Sequence, residues 1–208
     1  MSIRRACYEI AATAWPPDPR DVTPEVTLAL RPVLQYPDPR LRRVSRPIET
    51  ITDELRQLAQ DMCEVMYDEP GIGLAAPQVG EDVRLIVVDT QWTQEGADRN
   101  ALILVNPVLS EQDGKVLWKE GCLSVPDLEG EVERAERVLL TATDLDGKEV
   151  SIRAEGLQAV CFQHELDHLN GVLFIDHLSQ LKRSRYTLRR KKQLKREQEE
   201  REAEGPGA

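Results

Sequence analysis

The sequence predicts an α+β fold: a single domain of short antiparallel strands around a central helix, with a further helix at the C-terminus. Apolar residues recur at intervals of three or four in residues 55–66 and 157–168, which indicates two amphipathic helices. Between them lie short β-branched and aliphatic runs and an Asp146-Gly147 dipeptide, which is typical of a hairpin turn. Helices interspersed with hairpins favour an α+β domain over a repeating βαβ sheet. The chain has 208 residues, enough for one domain with its own core.

Composition divides the chain into three regions. Residues 1–29 contain four prolines and little periodicity, so we expect a flexible N-terminal extension. Residues 30–181 carry the predicted helices and strands and form the folded domain. Residues 182–208 are a charged tail, which we expect to be helical.

The elements of the folded domain follow in order. Thr52 caps the first helix, and Asp53 and Glu54 favour its positive end. Pro70 and Gly71 end this helix. Four predicted strands come next, over residues 83–89, 101–105, 138–144 and 148–153. The second helix begins near Gly156, where the apolar spacing changes to three or four.

Charge is unevenly distributed along the chain. The formal net charge is −10, yet residues 182–196 hold nine basic side chains and no acid. Apolar residues are sparse after Leu181, so we expect the tail to have little reason to pack on the domain. An acidic body with a basic arm indicates that the arm is the part that binds a polyanion.

Nothing in the sequence indicates export or a membrane. No run approaches the roughly 18 apolar residues that a membrane span needs, and Arg4, Arg5 and Glu9 interrupt what would be a secretion signal. The four cysteines show no paired pattern, and we expect thiols in a reducing compartment. We therefore expect a cytoplasmic protein with no membrane partner and no DNA partner.

The central helix carries an HExxH pattern at residues 164–168 (HELDH). Because positions i and i+4 lie on one face of a helix, both imidazoles can reach one metal ion. Glu165 lies beside that face, where its carboxylate could accept a proton from bound water. The alternative is a chance match on an exposed helix. Two of the three histidines form this pair, however, and the apolar flank of Leu157, Val160 and Cys161 turns them inward.

A catalytic metal needs a third protein ligand, with the fourth position left for water. His177 is one candidate, but its surroundings indicate ordinary chain packing. Cys161 is a second, but it shares the apolar flank of the central helix, so packing explains it better. Cys122 lies in residues 120–124 (EGCLS), a segment that we expect Pro126 to end. We favour Cys122.

Three segments together resemble the signature motifs of the peptide deformylase family, in the same order: residues 71–78 (GIGLAAPQ), 120–124 (EGCLS) and 163–168 (QHELDH). The resemblance covers residues 30–181. Each motif alone is moderately specific, whereas the three together are very specific. The extension before Leu30 is not part of the usual bacterial pattern. The resemblance implies that residues 30–181 are a catalytic domain built around a metal-binding HExxH helix.

The resemblance also implies a role for each motif residue. One divalent metal ion, Fe²⁺ in the cell and Zn²⁺, Ni²⁺ or Co²⁺ after purification, would be bound by Cys122, His164 and His168. Glu165 would be the general base and acid, and Gln78 and the backbone N–H of Leu123 would stabilise the oxyanion. The substrate-binding residues would be Gly73 and Gly121 for the main chain and Ile72, Val160 and Cys161 for the methionine side chain.

The implied activity is removal of the formyl group from the N-terminal formylmethionine of nascent polypeptides, with release of formate. Metal-bound water would attack the formyl carbon, and Glu165 would accept a proton and pass it to the leaving amine. Formamide is a poor electrophile, so the developing oxyanion needs hydrogen-bond donors. The partners would be formylmethionyl nascent peptides and ribosomal RNA, on which the basic residues 182–196 would dock.

Two other functions fit parts of the pattern. A general HExxH metallopeptidase would need a further ligand downstream of the motif, and the sequence offers a cysteine upstream instead. A structural zinc protein associated with the ribosome would need four protein ligands, and only three are evident. Release of formate from formyl-Met-Ala distinguishes the three functions.

Overall fold

The computed structural model describes residues 31–204. The predicted extension, residues 1–29, lies outside this range. The first helix, α1, spans Asp53–Asp68, as predicted. The Thr52 hydroxyl accepts a hydrogen bond from the backbone N–H of Leu55 at 3.3 Å, which satisfies one of the free donors at the start of the helix.

The strands form two antiparallel sheets. In chain order the strands are Gly73–Ala75 (β1), Leu85–Val88 (β2), Leu102–Asp113 (β3), Val116–Cys122 (β4), Val125–Arg134 (β5), Arg137–Thr143 (β6) and Glu149–Glu155 (β7). The larger sheet has the strand order β1-β2-β3-β6-β7, and β4 and β5 form a separate two-stranded sheet. Antiparallel sheets with separate helices confirm the α+β class.

The predicted hairpin is formed by β6 and β7. Thr143 pairs with Glu149, and the N–H of Gly147 donates to the carbonyl of Asp144 at 3.1 Å. Gly147 has a φ of +79°, a left-handed conformation that glycine adopts without a steric penalty. The local sequence therefore determines this turn.

The hairpin of β4 and β5 was not predicted, and the expectation that Pro126 ends its segment is wrong. Pro126 lies inside β5. Cys122 pairs with Val125 and Glu120 pairs with Gly130, so Pro126 falls in a part of β5 that has no ladder partner. A proline is tolerated there because no neighbouring strand needs its missing N–H.

The second helix, α2, spans Gly156–Leu169 and packs against the larger sheet. Strand β2 is apolar along its whole length because it is covered on both faces. Ile86 and Val88 pack in the cluster that contains α2 residues, and Leu85 and Val87 pack in the cluster that contains α1 residues. The central position predicted for the HExxH helix follows from this layering.

The C-terminal helix, α3, spans Gln180–Glu204, so the prediction of a helical tail is confirmed as far as Glu204. Residues 205–208 of the tail lie outside the described range. The expectation that the tail has little reason to pack on the domain is wrong. Tyr186 is 3% exposed and Arg190 is 5% exposed, and Tyr186 packs in a cluster with Leu41 and Leu178. The aromatic ring and the long arginine stem are four residues apart, so they lie on one face of the helix and pack that face on the body. Within residues 31–204 no helix is long and apolar enough to cross a bilayer.

Candidate active site

Three potential ligand atoms, one each from Cys122, His164 and His168, lie within 4.8 Å of one another. The helix α2 supplies both histidines, whose ring centroids are 5.0 Å apart. Cys122 ends β4, and its Sγ lies 3.2 Å from Nε2 of His168. The tertiary structure therefore brings together the three residues that the sequence suggested as ligands.

The chemistry of these donors fits a metal ion. One thiolate and two imidazoles match Fe²⁺ or Zn²⁺, and three protein ligands leave one position open. Burial, and then the neighbouring His164, lower the pKa of His168 well below its usual range, so its ring is neutral and can act as a ligand. Burial also lowers the pKa of His164, but the hydrogen bond and charge of the Cys122 thiolate and the bond to Glu120 raise it well above its usual range. His164 therefore holds a proton more readily than His168 does, because two anionic groups lie beside it.

A buried ion pair orients His164. Nδ1 of His164 lies 2.9 Å from Oε2 of Glu120, and Arg134 donates to both oxygens of Glu120 at 2.7 and 3.0 Å. Burial raises the pKa of Glu120, but the hydrogen bonds from His164 and Arg134 lower it by more than burial raises it, and the net pKa is about 2. The ionised Glu120 binds the proton on Nδ1, so Nε2 is the nitrogen of His164 that would bind a metal ion.

Sequence reasoning did not assign a role to Glu120 or Arg134. Glu120 stands in the EGCLS motif, two residues before Cys122, where strand alternation places both side chains on one face. That spacing was the available signal. Arg134 also donates to Asp167 at 2.7 Å, and Asp167 lies 2.7 Å from Nε2 of His177. His177 therefore pairs with a carboxylate and is not one of the three clustered ligands.

Glu165 is 3% exposed and lies against Gly73, the first residue of β1. A Cβ atom on Gly73 would approach Sγ of Cys161 to 2.7 Å and would lie closer still to Oε1 of Glu165, so this position requires glycine. Burial raises the pKa of Glu165 to about 7, His164 opposes the rise, and Glu120 and Asp167 add to it. A carboxyl group with this pKa exchanges protons readily at neutral pH.

Gln78 and Leu123 both lie close to Cys122, Gln78 in space and Leu123 in the chain. Gln78 is 2% exposed, and its Oε1 accepts a hydrogen bond from the N–H of Ala75 at 2.8 Å. Its Nε2 donates to the Ser124 hydroxyl at 3.2 Å and lies 3.8 Å from Sγ of Cys122. The amide N–H₂ is thereby turned towards the cluster. Leu123 lies in the two-residue turn between β4 and β5.

A cavity of about 700 Å³ opens beside the cluster. It is lined by all five residues that the sequence suggested for substrate binding: Ile72, Gly73, Gly121, Val160 and Cys161. Leu157, Trp118 and residues 126–129 line it as well, and sequence reasoning did not place Trp118 or residues 126–129 at the site. His168 is buried and does not line the cavity. Sγ of Cys161 lies 3.6 Å from the carbonyl of Ile72, outside the ligand cluster, which agrees with a packing role.

Comparison with known proteins identifies the family. The polypeptide deformylase family model matches residues 30–184. The peptide deformylase of Rhizobium meliloti (strain 1021) is 50% identical over 157 residues, which cover 75% of this chain and 89% of the relative. The peptide deformylase of Brucella suis biovar 1 is 51% identical over 157 residues, with the same coverage of 75% and 89%. The crystal structure of a peptide deformylase from Legionella pneumophila matches with a TM-score of 0.73 and 44% identity, covering 80% of this chain and 98% of that chain.

The family match spans most of the chain and includes all three motifs. The identity to the relatives is far above the level at which only a fold is shared. This chain therefore belongs to the polypeptide deformylase family, the enzymes that remove the formyl group from the N-terminus of newly made polypeptides.

Proposed function

We propose that this chain is a metal-dependent hydrolase that acts in the cytoplasm on the N-terminal formylmethionine of nascent polypeptides and releases formate. The observation that carries the proposal is the convergence of Cys122, His164 and His168 within 4.8 Å beside the buried Glu165. This arrangement supplies a ligand set and a proton carrier at one end of a peptide-sized cavity.

The proposed ligands of one divalent ion are Cys122, His164 and His168, with Fe²⁺ as the ion in the cell and Zn²⁺, Ni²⁺ or Co²⁺ as replacements on purification. When bound, the ion would supply Lewis-acid chemistry, including the acidification of water at neutral pH. The thiolate supports the choice of Fe²⁺ or Zn²⁺ over Mg²⁺ or Ca²⁺, which prefer oxygen ligands. Glu120 and Arg134 support the set because they hold His164 in one orientation.

Glu165 is the proposed proton carrier. Its carboxylate accepts the proton of the attacking water and delivers it to the leaving amine as formate departs. A pKa of about 7 supports both steps, because a group with this value gives up and regains a proton at small cost near neutral pH.

Gln78 and the backbone N–H of Leu123 are the proposed donors to the oxyanion that forms on the formyl group. The hydrogen bond from Ala75 to Oε1 of Gln78 supports this role because it fixes which end of the amide faces the cluster. A donor held before the reaction begins needs no reorganisation when charge develops, and each such donor typically contributes about 2.7–4 kcal/mol.

The substrate main chain is proposed to lie along Gly73 and Gly121, where the absence of side chains permits close approach. The methionine side chain would enter the apolar part of the cavity between Ile72, Val160 and Cys161. Trp118 and Leu157 line the same cavity and extend the set that the sequence suggested. Apolar walls with few polar groups are typical of a pocket for a thioether side chain.

The deciding experiment is an assay of anaerobically purified protein with formyl-Met-Ala, combined with metal analysis of the same sample. We expect one formate for each Met-Ala produced and an activity that rises in proportion to bound metal. Cleavage of the Met–Ala bond would instead indicate a general metallopeptidase. Bound metal without formate release would indicate a structural site and would contradict the proposal.

We further propose that the exposed face of α3 docks on ribosomal RNA near the point where nascent chains emerge. Seven cations of residues 182–196 are exposed: Lys182, Arg185, Arg189, Lys191, Lys192, Lys195 and Arg196. Tyr186 and Arg190, which are buried, attach the opposite face to the body. A rigid helix that presents several cations on one side is suited to a phosphate backbone. The acidic end of the helix opposes docking where it pairs internally, as Lys195 does with Glu199 at 3.6 Å.

A further inference from the structure

Strand β5 separates from its partner beside the cavity. Glu120 pairs with Gly130 and Cys122 pairs with Val125, so four residues of β5, residues 126–129, lie opposite Gly121 alone. All four line the cavity. A bulge of this kind leaves backbone groups without ladder partners and changes the direction of the chain, and bulges are common next to active sites. The wall of the cavity therefore depends on contacts from outside the hairpin.

One residue of this wall has an unfavourable backbone conformation. Asp127 has a φ of +59°, in the left-handed region that residues other than glycine seldom adopt, although aspartate tolerates it better than most. Such a conformation persists where surrounding contacts hold it, and it is often found at ligand-binding sites.

The contacts that hold this wall come from α3. The Tyr186 hydroxyl donates to the carbonyl of Pro126 at 3.1 Å, and Nη2 of Arg189 donates to the carbonyl of Asp127 at 2.6 Å. The guanidinium of Arg189 also lies over the Tyr186 ring, 5.5 Å from its centroid. Two neighbouring carbonyls of the bulge are thus bound by two side chains on one face of the helix.

The same helix supports the other end of the turn that follows Cys122. Nε of Arg190 donates to the carbonyl of Tyr36 at 3.2 Å, and the N–H of Tyr36 donates to the carbonyl of Ser124 at 2.8 Å. The Ser124 hydroxyl in turn accepts from Gln78. The helix α3 therefore binds Pro126 and Asp127 directly and is linked to Ser124 through Tyr36.

We propose that Tyr186 and Arg189 are positioning residues that hold residues 126–127 in the shape that receives the formylated peptide. The proposal rests on the proposed use of the cavity as the substrate site. When either contact is lost, the wall populates other conformations, and only a fraction of the enzyme is competent to bind. The apparent affinity equals the intrinsic affinity multiplied by that fraction, while the chemistry of the bound complex is unchanged. The signature is a higher KM with an unaltered kcat.

The test compares Arg189→Gln, Arg189→Lys and Tyr186→Phe in the full-length, metal-loaded enzyme, with formate release from formyl-Met-Ala-Ser as the readout. Arg185→Gln is the matched control, because Arg185 lies on the same helix, is exposed, and its side chain makes no hydrogen bond or ion pair with any residue in 31–204. We expect KM to rise about fivefold in Arg189→Gln and in Tyr186→Phe, with kcat within about twofold, since one hydrogen bond is lost in each. Arg189→Lys should recover part of the loss, because an ammonium group can donate to the same carbonyl.

An unchanged KM in Arg189→Gln and Tyr186→Phe would overturn the proposal, and so would a fall in kcat alone in these two variants. An equal rise of KM in Arg185→Gln would also overturn it, because the effect would then come from the loss of positive charge. Denaturation curves of each variant establish that all are folded at the assay temperature. If the wild-type enzyme released no formate, the proposed function would fail instead. The effect of each substitution on the cavity wall would then be measured as the affinity of the same variants for Met-Ala-Ser, by calorimetry.

Discussion

Two buried glutamates lie near His164 and differ in protonation behaviour because their surroundings differ. Glu120 receives hydrogen bonds from Arg134 and His164, and its pKa falls to about 2. Glu165 lies against a glycine and a thiol, and burial raises its pKa to about 7. One carboxylate is thereby kept ionised and the other is able to exchange a proton. Pairs of titratable groups with separated pKa values are typical of acid–base sites.

We predict that Glu165→Gln lowers formate release by about 10²- to 10⁴-fold, because the amide preserves shape but cannot accept a proton. Bound metal should equal that of the wild type, since Glu165 is not among the clustered ligands. Steady-state kinetics and metal analysis of the same preparation measure both effects. Glu131→Gln, an exposed acid on β5, is the control and should behave as the wild type. Near-normal turnover in Glu165→Gln would rule out the proposed proton carrier.

Cys122 lies in the ligand cluster and Cys161 lies outside it, and this difference yields a second prediction. Cys122→Ser should be purified with little metal, whereas Cys161→Ser should retain the full complement. Cys122 contributes a ligand atom to the cluster, while Cys161 is a buried thiol whose pKa is raised by burial and by the nearby Glu165 and Glu120. A protonated thiol is a poor metal ligand. Loss of metal from Cys161→Ser, with retention by Cys122→Ser, would reverse the assignment.

At the scale of elements, the connection between β2 and β3 is organised around one buried carboxylate. Asp89 is 6% exposed, and the Tyr67 hydroxyl donates to it at 2.8 Å. Three backbone N–H groups also donate to it, those of Gln91, Trp92 and Asn100. Burial raises the pKa of Asp89, but these hydrogen bonds lower it more, so the net value lies below its ordinary 3.8. The Trp92 indole then donates to the carbonyl of Gly71 at 2.8 Å, which links this connection to the cavity.

We predict that Asp89→Asn lowers the free energy of unfolding at pH 7 by about 1–3 kcal/mol, because buried N–H donors lose a charged acceptor. The folded-state pKa of Asp89 is depressed, so its contribution is fully present above the ordinary value of 3.8 and is lost as pH falls through the folded value. The difference between wild type and variant should therefore shrink below that pH. Urea unfolding across a pH series measures it. A difference that stays constant down to pH 2 would contradict the role assigned to the ionised form.

At the scale of the whole molecule, the C-terminal helix combines two surfaces. Its buried face, through Tyr186 and Arg190, joins the body next to the active site. Its outer face carries the exposed cations of residues 182–196. Truncation after Leu181 would remove both surfaces at once. Charge reversal on the outer face separates polyanion binding from support of the cavity.

We predict that reversing Lys191, Lys192 and Lys195 to glutamate weakens salt-sensitive cosedimentation with ribosomes and leaves formate release from a short formyl-peptide unchanged. Each lost phosphate contact should lower the slope of log affinity against log salt by about 0.7–0.9. The control reverses three exposed cations of the body, Lys115, Lys148 and Arg153, and changes net charge equally. Equal losses in both variants, or binding that salt does not affect, would contradict docking through α3.

The sequence alone determined the features that depend on local spacing. The helix cap at Thr52, the Asp146-Gly147 turn and the i, i+4 histidines of α2 are each set by neighbours a few residues away, and the structure contains all three. The three motifs in order were also enough to indicate the family. Rules of short range predict these features because helix and turn energetics are themselves of short range.

Only the tertiary structure decided what depends on distant segments meeting. Glu120 and Arg134 form a buried pair because two strands bring them together beside α2, and composition cannot reveal that a charge is buried with a partner. The bulge at residues 126–129 arises from the register of β4 against β5, and the packing of α3 arises from a few side chains that meet distant segments of the body, among them the buried Tyr186 and Arg190. In each case the stabilising energy comes from contacts between elements. A pattern of residues along the chain does not contain that information.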